Sequence, residues 1–154
     1  MLTRGMVIEQ QLRRVAALAA WATVAIGVLG LASALVGSDF LHPLRIEAAP
    51  MKANTALCLV LCGAALMGAF IDRWKRASLV CAGLVALLSA GSAIQELAQV
   101  NLGLDRLLGS DSFANTTPDA APGRMNLHVS FMFMLAAAAV FALRQQRHRT
   151  RWPV

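Results

Sequence analysis

A chain of 154 residues is long enough for one domain and short for two. Its hydrophobic fraction is 58% and its charged fraction 14%, against about half apolar and a quarter charged in a water-soluble domain; an ordinary soluble fold, which would be covered in apolar patches, is excluded. The net charge of +6 does not mark a nucleic-acid binder, because the basic residues flank apolar runs, Tyr is absent, and no aromatic platform carries interleaved Arg.

A membrane helix needs about 20 mostly apolar residues, and four runs qualify: 15–37, 53–71, 77–95 and 126–143. The predicted fold class is therefore an all-α membrane protein, a single integral membrane domain over 1–154. The first run, preceded by Arg4, Arg13 and Arg14, is free of charge. Basic residues before it and Ala32-Ser33-Ala34 within it have the look of a signal peptide and its cleavage site. The run is too long for the apolar core of such a peptide, so it is read as a retained span. Residues 38–52, with Pro43 and Pro50, form a short loop. Between the second and third runs, residues 72–76 hold Arg73, Lys75 and Arg76 beside Trp74.

The connection from 96 to 125 is longer. Leu102 to Leu108 reads either as a continuation of the third helix or as a small interfacial helix. The stretch from Gly109 to Gly123, with Asn115, Pro118 and Pro122, reads as irregular. The tail, 144–154, is basic, with Arg144, Arg147, Arg149 and Arg151.

Orientation follows from the Lys and Arg distribution. The N-terminal segment 1–14, the 72–76 connection and the tail together hold ten; the other two loops hold four, Arg45, Lys52, Arg106 and Arg124. Both termini are expected in the cytoplasm of a bacterial-type cell, the protein in the inner membrane. Trp74, Arg76, Arg144, Arg147 and Trp152 are then expected as interface and lipid anchors.

Close helix approach in lipid relies on small residues. Gly63 and Gly68 supply them in the second span, Ala82, Ala86 and Ala90 in the third, and Ala136 to Ala139 in the fourth. The expected assembly is a compact four-helix bundle. Any small-residue ridge left over is available for a homodimer. Cys58, Cys62 and Cys81 all lie in apolar runs and read as small apolar fillers. A weak internal repeat relates the helix pairs: Met51-Lys52-Ala53-Asn54 and Met125-Asn126-Leu127-His128 each open an inward span soon after a proline.

Three segments occur in order: Met51-Lys52-Ala53-Asn54-Thr55-Ala56-Leu57-Cys58, Gly103-Leu104-Asp105-Arg106-Leu107-Leu108 and Pro122-Gly123-Arg124-Met125. Together they resemble the N-terminal membrane regions of bacterial sensor histidine kinases and diguanylate cyclases over residues 40–143. The resemblance implies a four-helix input module. Two features depart from it. Asn126-Leu127-His128-Val129-Ser130 replaces the expected second Asn-Thr-Ala entry. The chain also reaches Val154 without room for a kinase or cyclase domain, and so is expected as an input module whose output lies elsewhere or as a subunit of something larger.

Polar and ionisable groups near membrane depth are the default candidates for function. Asn54, Thr55, Glu96 and His128 collect at the outer ends of the spans, and the functional expectation is a shallow outer-rim site walled by them for a small polar ligand, a quinone headgroup or a proton. The competing expectation is that they cap helices at headgroup level. His42 and His128 lie on the same side and give a haem reading, without a C-x-x-C-H attachment motif; no cofactor, whether haem, quinone or pigment, is otherwise marked. No catalytic constellation appears: there is no G-x-S-x-G, no H-E-x-x-H and no P-loop. The expected function is thus a non-enzymatic sensory module. The alternative is an accessory subunit of a larger respiratory or photosynthetic membrane complex, packing on partner helices or pigments through Phe131, Met132, Phe133 and Met134.

Overall fold

The computed structural model describes residues 2–36, 52–100, 102–104 and 125–149. They form α1 (Leu2–Val36), α2 (Ala53–Phe70), a single 3-10 turn at Asp72–Trp74, α3 (Lys75–Ala98) and α4 (Leu127–Arg149), with no strand among the described residues. All four helices are long and apolar enough to cross a bilayer, through Gln10–Ala34, Ala53–Phe70, Lys75–Ala98 and Leu127–Gln146. The chain is a multi-pass membrane protein.

The helices fall where the apolar runs lie, but two run on. α1 begins at Leu2, well before the span expected from 15, and α4 continues through Gln145 and Gln146 to Arg149. Both extensions lack proline; the first carries Leu, Gln, Glu and Arg and the second Gln and Arg, residues that lose little side-chain freedom in a helix. α3 does not continue toward Leu108. It stops at Ala98, where Gln99 takes the left-handed conformation (φ 52°) and its Nε2 donates to the Glu96 carbonyl at 2.9 Å. A left-handed residue at this position is a common way to end a helix.

α2, α3 and α4 pack together around Cys58, Val85, Met125, Phe133 and Ala137, with a second cluster of Ala65, Ala82 and Val140. Cys58 is a small core filler, as expected, and all three cysteines are free. α1 packs on α2. Their crossing is antiparallel and is built on glycine. A Cβ at Gly27 would stand 2.8 Å from Val60 N and 2.9 Å from the Ala56 carbonyl, and one at Gly63 would stand 2.9 Å from the Ala20 carbonyl. Ala20 and Gly27, like Ala56 and Gly63, are seven residues apart. The small side chains therefore recur on one face of each helix and let the backbones touch.

The end of the bundle formed by Ile71–Trp74, called here the hairpin end, is equally tight. A Cβ on Gly68 would lie 2.9 Å from Ser78 Cβ, and Ser78 Oγ donates to the Ala65 carbonyl at 2.7 Å, bonding α3 to α2. Large apolar side chains such as Leu18, Leu87, Leu97, Met132 and Leu135 point outward, the arrangement a lipid solvent favours.

Candidate functional site

At the opposite end, the loop end, the start of α2, the finish of α3 and the start of α4 meet. Asn54 lies in the first turn of α2, is 4% exposed, and donates from Nδ2 to the Leu104 carbonyl at 2.9 Å. After Gln99 the chain doubles back through Gly103 (φ 73°). The Leu104 side chain then settles over Gly91, where an added Cβ would meet its Cδ1 at 2.5 Å. Two of the three segments that carry the family resemblance are thus joined by one hydrogen bond. The third contributes Met125, 1% exposed in the core beside Cys58 and Val85.

Asn126 starts α4. Its Oδ1 accepts the His128 backbone N–H at 3.1 Å, the bond an N-cap side chain makes to the second helical residue. The same oxygen lies 3.2 Å from His128 Nδ1. The Asn126 carbonyl accepts from Ser130 N at 3.0 Å and from Ser130 Oγ at 3.2 Å. Sequence reasoning did not single out Asn126. The available signal was an Asn directly before an apolar run, the preferred residue type for a cap.

The four candidate residues are not equivalent. Asn54 is committed to holding the 102–104 segment. Thr55 and Glu96 are half-buried and His128 is exposed. The inward-facing residue near the end of α3 is Gln95, fully buried, in register with Val85, Ser89 and Ser92. It too was missed, although its spacing from the two serines, which place small polar groups on one helix face, was readable. Asn54 and His128, matched by the internal repeat, have opposite environments, one buried and one exposed.

His128 alone of the four lines a groove of about 600 Å³ that runs along α4 over α2, with Thr23 of α1 on its far side. Cys62 and Leu66 of α2 and Met132, Ala136 and Leu143 of α4 also line it. His42 lies outside the described residues, and with it the proposed haem pairing. No group of three metal-ligating side chains occurs among the described residues.

Among the expected anchors, Trp74 and Arg76 are exposed at the hairpin end. The Arg147 side chain and Trp152 lie outside the described residues. Arg144 is a correction: expected at the lipid surface, it is 7% exposed and donates from its guanidinium to the Gly68 carbonyl. The last carbonyls of a helix have no partner within it. α2 ends at Phe70 beside Arg144, so a cation from α4 caps α2 and meets the negative end of its dipole.

Comparison of the chain with protein-family models, with curated proteins and with solved structures finds no match.

Proposed function

We propose that this chain is a non-enzymatic signal-input module of a bacterial inner membrane, with the loop end outside and both termini cytoplasmic. The observation that carries the reading is the bond from Asn54 to the Leu104 carbonyl. It fastens two segments shared in pattern with sensor input regions into one structure, beside the buried Met125 of the third. The ten-to-four distribution of Lys and Arg supports the orientation.

α4 is the element suited to carry a signal. Its first turn sits at the loop end, and its far end is held by Arg144 on the Gly68 carbonyl. A ligand at the outer rim moves α4 only by binding its two arrangements with different affinity. Releasing a hydrogen bond to a charged group costs about 1.5–3 kcal/mol, within the range of ordinary allosteric couplings, about 1–3 kcal/mol. A ligand that favours one arrangement of α4 by that amount would shift the inner contact.

The test is purification from the native membrane in mild detergent, with identification of every co-purifying chain and an absorption spectrum of the same sample. The input reading expects a colourless monomer or homo-oligomer. A stoichiometric larger complex, or bound pigment or haem, overturns it and makes the chain an accessory subunit.

A further inference from the structure

The groove along α4 has features that specify a ligand. It extends from His128 to Leu143, about 22 Å along the axis at 1.5 Å per residue. Its volume of about 600 Å³ falls among small-molecule sites, about 300–1,000 Å³. It lies within the spanning part of α4, so its occupant comes from the bilayer. No Lys, Arg, Asp or Glu lines it. Thr23 Oγ1 already donates to the Ala19 carbonyl at 2.8 Å. The long body of the groove therefore accommodates an apolar chain, and the absence of charge disfavours a phosphate headgroup, which seeks cationic partners.

The loop-end mouth is polar in one defined way. Asn126 Oδ1 accepts from the His128 backbone N–H, and an oxygen of this kind has no proton to give. The 3.2 Å contact to His128 Nδ1 is therefore a bond donated by the ring. In the neutral ring this bond places the proton on Nδ1 and leaves Nε2 as a hydrogen-bond acceptor.

We propose that the groove binds a membrane isoprenoid quinol, its tail along α4 and one ring hydroxyl donating to His128 Nε2. The quinol is neutral, single-tailed and a hydrogen-bond donor, whereas a phospholipid carries a charged phosphate and paired chains. The oxidised quinone offers carbonyl oxygens to the same lone pair and forms no bond there. The site therefore prefers the reduced form.

This proposal rests on the input reading by naming its ligand class, yet it is tested separately. A stoichiometric partner in the purification above overturns the input role alone; absence of binding here overturns the ligand alone. The experiment is anaerobic titration of the full chain in detergent with decyl-benzoquinol, and in parallel with its oxidised form, while phosphatidylglycerol serves as competitor. Saturable binding of one quinol per chain is expected, about tenfold tighter than the quinone, the worth of one net hydrogen bond. His128→Phe should lower quinol affinity to that of the quinone. Ala136→Phe, which fills the groove, should abolish both, with helix content and unfolding midpoint measured to establish that each variant folds; if Ala136→Phe does not fold, Ala139→Phe fills the same groove. Equal affinity for the two redox forms, an unchanged His128→Phe, or displacement by phosphatidylglycerol at matching concentration overturns the proposal and leaves the groove filled by ordinary lipid.

Discussion

Replacing Gly63 with alanine tests the crossing on which α1 depends. The new Cβ would stand 2.5 Å from Val24 Cγ2, 2.9 Å from the Ala20 carbonyl oxygen and 3.1 Å from Val24 N. Val24 is β-branched and held to one rotamer in a helix, and the other two atoms are backbone, so none yields alone. Restoring ordinary contact with the Ala20 oxygen requires the helices to part by about 0.5 Å, from 2.9 Å to 3.4 Å. A gap of that size forfeits a quarter or more of the dispersion well at each facing contact. Overpacking of this kind costs about 1–3 kcal/mol. The assay is unfolding by SDS in mixed micelles, followed by circular dichroism. Two controls bracket the result. Gly83→Ala meets nothing within 4 Å and should be neutral or mildly stabilising. Gly91→Ala also creates a 2.5 Å approach, but to the movable end of Leu104, and should cost less than Gly63→Ala. Because Gly27 and Gly63 share one crossing, the Gly27→Ala/Gly63→Ala pair should cost less than the sum of the singles. A Gly63→Ala protein as stable as Gly83→Ala, or strict additivity of the pair, refutes this account of the crossing.

Further outcomes follow from the same geometry. Arg144→Leu removes the cap on the Gly68 carbonyl and should lower stability by about 1.5–3 kcal/mol; an unchanged SDS midpoint would show that the cation contributes nothing there. Ser78→Ala removes the bond to the Ala65 carbonyl and should cost only about 0.6 kcal/mol, as interhelical hydrogen bonds in membranes do. Asn54→Asp replaces the donating amide with an acceptor and should loosen the 102–104 segment as much as Asn54→Ala does. Faster amide hydrogen exchange near Leu104 in both variants, with slower exchange retained in α2, is the expected reading; protection in Asn54→Asp would argue against the bond.

The number and placement of spans were legible because each needs only a sustained apolar run. Where each helix stops was less so: no proline in Leu2 to Arg14 or Arg144 to Arg149 ends a helix, while the end of α3 depends on Gln99 adopting a left-handed turn that a Gln seldom takes. Rotation about the axis was harder still. In lipid both faces of a helix are apolar, so no stripe marks the inward side. Glu96 drew attention by its charge, yet its neighbour Gln95 is the buried residue. Asn54 was identifiable as a polar group at the rim, but its partner is fifty residues away. Arg144 looked like one more member of a basic tail, because the carbonyl it caps belongs to a helix end that only the folded chain brings near.

The packing order of the helices has a bearing on biosynthesis. Each helix has its principal contacts with the one before or after it in the chain. As the ribosome delivers spans in turn, α1 finds its glycine-lined partner as soon as α2 enters the bilayer. α3 then closes on α2 through Ser78. α4 arrives last and brings the Arg144 guanidinium to the Gly68 carbonyl. No span has to wait for a distant partner, so little of the chain is left searching among unrelated helices while translation proceeds.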